Sequence, residues 1–103
     1  MEVLDYKEIK KLLIELKNML DQFGDDSTKN QYRIISSSIE IIDSDISDGE
    51  KYVTIIRNYK NLYPARGGLS EFNIWRDDFE DRKKVNEPLD AIRKALWDIF
   101  KNY

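Results

Sequence analysis

Apolar residues recur every three or four positions through most of this chain, and that spacing admits one class of structure. Between Asp5 and Phe23 they fall at Ile9, Leu12, Leu13, Leu16, Met19, Leu20 and Phe23. A helix of 3.6 residues per turn gathers them on one face, whereas a strand would scatter them over two. Asp5 with Glu8 has the spacing of a capping box, and Leu4 with Ile9 that of a hydrophobic staple. Gly24 stands where a left-handed residue commonly ends a helix. A first helix is expected over 5–23.

Three more segments repeat the pattern. Thr28 with Gln31 has capping-box spacing, and Tyr32, Ile35, Ile39, Ile42 and Ile46 then form a stripe widened by Ile34 and Ile41. Its β-branched residues lower helix propensity, so a strand over 33–42 is the alternative. Ser36-Ser37-Ser38 would place serines on both faces of that strand, which favours the helix. Ser47 with Glu50 opens a third segment, expected to turn Tyr52, Val53, Ile55, Ile56, Tyr59, Leu62 and Tyr63 inward. Pro64 ends it, because proline disfavours helical geometry at Tyr63 and has no N–H to donate. Asn86-Glu87-Pro88 reads as an N-cap followed by a first-turn proline. It precedes a seam of Leu89, Ile92, Leu96, Ile99 and Tyr103, with Trp97 and Phe100 beside it.

Between the third and fourth segments, residues 62–82 hold Gly67-Gly68, Trp75 and a dense run of charge. Phe72, Trp75 and Phe79 are three and four apart, and Asp78–Arg82 and Glu80–Lys84 are spaced as stabilising helical ion pairs. A short helix within 70–84 is expected. The alternative is an extended 72–75 leading into a helix at Asp77. The whole predicts an all-α fold: an antiparallel four-helix bundle over 1–103 as one domain, with a structured crossover (a short extra helix) between helices 3 and 4.

The chemistry on offer is narrow. The chain has no histidine and no cysteine, which removes thiol nucleophiles, imidazole bases and nearly every structural zinc site. An enzyme would have to work with carboxylates, lysine or tyrosine. In an EF-hand register counted from Asp43, Asp48 replaces the required glycine and Thr54 the required glutamate. Asp77, Asp78, Glu80 and Asp81 form the densest acidic cluster, but helical spacing splits them between faces, as in a salt-bridged exposed surface. Gly67-Gly68 lacks the Gly-Lys-Ser/Thr of a phosphate loop and reads as a turn. No metal and no cofactor are expected.

The net charge of −3, from 17 basic and 20 acidic residues, gives no basic excess for nucleic acid. No apolar run approaches the roughly 18–20 residues of a membrane span. The N-terminus lacks a signal-like apolar stretch, so a cytoplasmic location is expected.

Aromatic residues at core spacing, Tyr32, Tyr52, Tyr59, Trp97 and Phe100, are expected to pack. Trp75, at the edge of a charged run, either plugs the end of the bundle or belongs to a binding surface. Tyr, Trp and Arg are enriched in interface hot spots, which makes Tyr63, Arg66, Trp75 and Arg76, with Asp77 and Asp78 beside them, the candidate partner surface. The run from Tyr63 through Trp75-Arg76-Asp77-Asp78-Phe79-Glu80, followed by Asn86-Glu87-Pro88-Leu89, resembles small bacterial helical proteins associated with the immunity proteins of polymorphic toxins. The resemblance covers Tyr63 to Leu89 and carries no catalytic motif. It implies a non-enzymatic protein that binds and blocks a toxin or effector. Acidic groups at Asp21, Asp25, Asp26 and at Asp43, Asp45, Asp48 would steer it toward a basic partner. The second expectation is an intracellular helical regulatory or structural protein acting as a homodimer, its seam including Ile14. The third is a metal-dependent enzyme on the Asp77–Asp81 carboxylates.

Overall fold

The computed structural model describes residues 4–63, 69 and 72–103. They form a helical bundle of four α-helices, α1 (Tyr6–Phe23), α2 (Lys29–Asp43), α3 (Asp48–Asn61) and α4 (Phe79–Phe100), with no strand among them. α1 packs on both α2 and α4, and α2 packs on α3.

α1 follows its periodicity. The Asp5 carboxylate accepts the Glu8 N–H at 3.2 Å, and Ile9, Leu12, Leu13, Leu16 and Leu20 are buried. Its end differs from expectation, because Gly24 is extended (φ −73°, ψ 164°) rather than left-handed. The glycine is needed for space. A Cβ there would stand 2.4 Å from the Leu20 carbonyl oxygen and 2.7 Å from the Thr28 hydroxyl. That hydroxyl accepts the Asp25 N–H at 3.1 Å, while the Asp25 carboxylate accepts the Ser27 N–H at 2.9 Å. The capping box expected at Thr28–Gln31 is thus formed three residues earlier, around one turn of 3-10 helix (Asp26–Thr28). Thr28 makes no side-chain cap for α2.

α2 adopts the helix and not the strand. It ends at Asp43, so Ile46 falls outside it and is exposed. Its buried stripe is Gln31, Ile35 and Ser38. The Ser38 hydroxyl donates to the Ile34 carbonyl (2.8 Å) and accepts from the Asn58 amide of α3 (3.1 Å), which satisfies a polar group inside the bundle. Lys10 of α1 pairs with Asp43 at 2.9 Å, and the Lys51 ammonium donates to the carbonyls of Ile42 and Ser44.

α3 starts where expected, with Ser47 accepting the Glu50 N–H. Of the seven residues expected inward, Ile55 and Leu62 are buried, Tyr52, Ile56, Tyr59 and Tyr63 are half-buried, and Val53 is 61% exposed. The reason is coverage: α3 leans mainly on α2, so a narrow stripe of it is shielded.

The largest correction concerns α4. It begins at Phe79, capped by the Asp78 carboxylate on the Asp81 N–H (3.0 Å), and runs through Pro88 in its interior. Proline removes the N–H that would serve the Lys84 carbonyl, and Lys84 is exposed to water. Asn86 is therefore not an N-cap. It is buried, and its side-chain amide pairs with the backbone of Ile74: Oδ1 accepts the Ile74 N–H and Nδ2 donates to the Ile74 carbonyl, both at 2.8 Å. Nδ2 also donates to the Arg82 carbonyl at 2.7 Å. Seven residues further on, the Arg93 guanidinium donates to the carbonyls of Leu69 (2.7 Å) and Phe72 (2.9 Å). Residues 72–78 form no helix of their own. They match the extended alternative, and the expected short helix is absorbed into α4. Leu69, Phe72 and Ile74 insert into the core beneath.

Two substitutions test this account. Asn86→Leu keeps the branched shape of the side chain, though it is bulkier, but strands the N–H and carbonyl of Ile74, and should cost about 2–4 kcal/mol in urea unfolding. Gly24→Ala should cost about 1–3 kcal/mol through its clash with the Leu20 carbonyl. Unfolding midpoints unchanged from the parent protein would remove these constraints.

Candidate partner-binding surface

Ile74 is held by both of its backbone groups and its side chain is buried, so in an extended segment its neighbour faces the other way. Trp75 is accordingly 66% exposed. It does not plug the bundle. Phe79, in the first turn of α4, is 65% exposed beside it. Arg82 places its guanidinium 4.3 Å from the Trp75 ring centroid and 5.7 Å from that of Phe79. Each such contact stabilises by about 0.5–1 kcal/mol at an exposed site, enough to bias the indole's orientation. The Trp75 indole N–H donates to the Asp77 carboxylate at 3.3 Å. Arg76 donates to the Trp75 carbonyl at 2.8 Å and lies 5.7 Å from the Phe23 ring centroid at the end of α1.

Trp75, Arg76, Asp77 and Asp78 are thus brought onto one surface, joined by Phe79 and Arg82. Sequence reasoning placed Phe79 in a helical apolar stripe and paired Arg82 with Asp78. The usable signal was the spacing of Trp75, Phe79 and Arg82, which sets two rings around one guanidinium. Arg66 lies outside the described residues.

Tyr63 belongs to a different place. Its ring meets Tyr59 edge-on (centroids 5.4 Å), and Tyr59 stacks on Phe100 at 4.3 Å. Tyr63 lines a groove of about 690 Å³ with Tyr59, Lys60, Arg93, Lys94 and Trp97. Arg93 is roughly 16 Å along α4 from Arg82 at the helical rise per residue, so Tyr63 is separated from the Trp75 group. Trp97, expected in the core, is 57% exposed on this groove.

The acidic cluster does not converge. Asp77 holds the indole and Asp78 caps α4. Among the described residues no group of three or more acids could hold a metal ion, and no helix is long and apolar enough to cross a membrane. Hydrogen bonds from Ser27 hold Asp25 below the usual carboxylate range. Burial pushes the phenols of Tyr59 and Tyr63 up. The adjacent Tyr63 raises Tyr59 further, while its bond to Tyr59 and the charge of Arg93 partly offset the effect on Tyr63.

These phenols carry a pH prediction. Their folded pKa values lie above the ordinary 10.0, so the folded state retains protons that the unfolded chain releases. The stability they contribute is fully present below pH 10.0 and is lost as pH rises through the raised values. Urea unfolding followed from pH 9 to 11 (roughly a unit either side of an ordinary tyrosine) should show a steeper alkaline loss in the parent protein than in Tyr59→Phe. Equal slopes would contradict the assignment.

The chain matches no family model, no curated protein and no solved structure.

Proposed function

We propose that this chain is a non-enzymatic, cytoplasmic interaction protein of the immunity type, which binds a protein toxin or effector and blocks it by occlusion. Its helices form an antiparallel bundle, with the chain between α3 and α4 as the crossover. The Lys10–Asp43 pair supports that arrangement, since it ties the start of α1 to the end of α2.

One observation carries the functional reading: the exposed stack of Trp75, Arg82 and Phe79 over a base fixed by Asn86. An exposed Trp–Arg–Phe cluster is the composition from which hot spots are built. With no histidine or cysteine in the chain, recognition suits these residues better than catalysis. The acidic groups at Asp21, Asp25 and Asp26 and at Asp43, Asp45 and Asp48 would speed encounter with a basic partner. The homodimer reading draws on exposed Ile14, and sedimentation showing a monomer at high concentration would exclude it.

Tagged protein should capture a defined partner from its native organism. Trp75→Ala and Arg82→Ala should each lower that capture by ~tenfold or more, and the exposed Lys29→Ala should leave it unchanged. Equal capture by all variants would reduce the stack to scaffold. If the partner is a toxin, co-production should restore growth; failure to protect would remove the immunity role while leaving the binding role.

A further inference from the structure

The groove between α3 and α4 differs in character from the Trp75 surface. Its floor is aromatic, from Tyr59, Tyr63 and Trp97, and its other lining residues are the cations Lys60, Arg93 and Lys94. A second depression of about 430 Å³, lined by Tyr52, Val53, Ile56, Arg57 and Asn61, shares Lys60 with it. The two follow α3 from Tyr52 to its end at Asn61, roughly 14 Å at the helical rise, and continue to Tyr63 just beyond, about three turns' length in all. Among the described residues no carboxylate lines either depression, although acids outnumber bases in the chain as a whole.

The cations differ in availability. Arg93 is committed to the Leu69 and Phe72 carbonyls and to Asp90. Lys94 pairs with Asp98 at 3.6 Å, but its side chain is 79% exposed, and an incoming carboxylate can displace so loose a pair. Lys60 and Arg57 are exposed and have no ion-pair partner among the described residues. Val53 and Trp97, one in each depression, present bare apolar surface.

We propose that this trough receives an amphipathic helix from a partner protein, with apolar residues every three or four positions seated on Trp97, Tyr59 and Val53. Acidic side chains on its flanks meet Arg57, Lys60 and Lys94. Charge complementarity selects an acidic segment. A length of about three turns, open to solvent along one side, suits a helix laid in a groove better than a compact molecule, which would need enclosure on most sides. This surface is separate from the Trp75 stack, and an occupant here leaves that stack free.

The test uses an acetylated peptide of about 12 residues, three turns or so, with leucines on one face and glutamates on the other. Its lysine-for-glutamate counterpart and 1-anilinonaphthalene-8-sulfonate serve as comparisons. In two-dimensional amide spectra of labelled protein, the glutamate peptide should shift the Trp97 indole and the Lys60 and Lys94 amides. It should bind at least ~tenfold tighter than the lysine peptide. Lys60→Glu combined with Lys94→Glu, both at exposed positions, should reverse that preference, and Trp75→Ala should leave it intact. Equal binding of the two peptides, shifts centred on Trp75, or no shifts at all would overturn the proposal. Shifts at Trp97 with the sulfonate alone would overturn the helical occupant in favour of a free organic anion.

Discussion

The side chain of Asn86 decides where the last third of this molecule goes. Its amide presents one acceptor and one donor in the geometry of a neighbouring peptide group, and Ile74 uses both. Residues 72–78 have no helix or sheet partner of their own, so a buried Ile74 would otherwise leave a backbone N–H and carbonyl unpaired. Arg93, two turns further along α4, satisfies the carbonyls of Leu69 and Phe72. The segment is thus laid along α4 by polar side chains of that helix and pressed into the core by Leu69, Phe72 and Ile74. Trp75 and Arg76 are exposed as a consequence, because the residue before them is held from both sides.

That dependence explains which parts of the fold were legible in the sequence. α1, α2 and α3 each declare themselves through local spacing; Asp5 and Ser47 cap α1 and α3 as expected, while the capping box before α2 closes at Asp25 instead of Thr28. Asn86-Glu87-Pro88 is equally local in appearance, since an N-cap asparagine and a first-turn proline are separately common. The competing explanation for Asn86 is a contact with Ile74, twelve residues away, which leaves no periodic trace. Pro88 is tolerated inside α4 because the carbonyl it deprives belongs to an exposed residue. Gly24 shows the same limit on a smaller scale. Its place at a helix end was readable, but its cause is a close approach to Leu20 and Thr28 and not a left-handed backbone.

The candidate surfaces were legible in part for a related reason. Spacing identifies a face, and burial depends on what covers that face. Val53 and Trp97 both have core spacing, and both are exposed: α3 leans mainly on α2, and its ring contacts toward the C-terminus are Tyr59 against Phe100 and Tyr52 against Tyr103, just past the end of α4. The grouping of Trp75 with Arg76, Asp77 and Asp78 was readable because they are consecutive. The distance of Tyr63 from them was not, because it depends on how far along α4 each contact falls.

Net charge conceals the electrostatic character that results. Acids gather near the α1–α2 turn and the α2–α3 connection, whereas the trough on α3 and α4 is lined by bases. α3 itself begins with Asp48 and Glu50 and reaches Arg57 and Lys60 later. Asp48 and Arg57 are separated by about 14 Å at the helical rise, well beyond the roughly 8 Å over which exposed charges act at physiological ionic strength. The acidic start of the helix therefore does not neutralise its basic end. Arg57 and Lys60, without an ion-pair partner among the described residues, thus stand well apart from the acids that open α3, on a chain that is, in total, only weakly acidic.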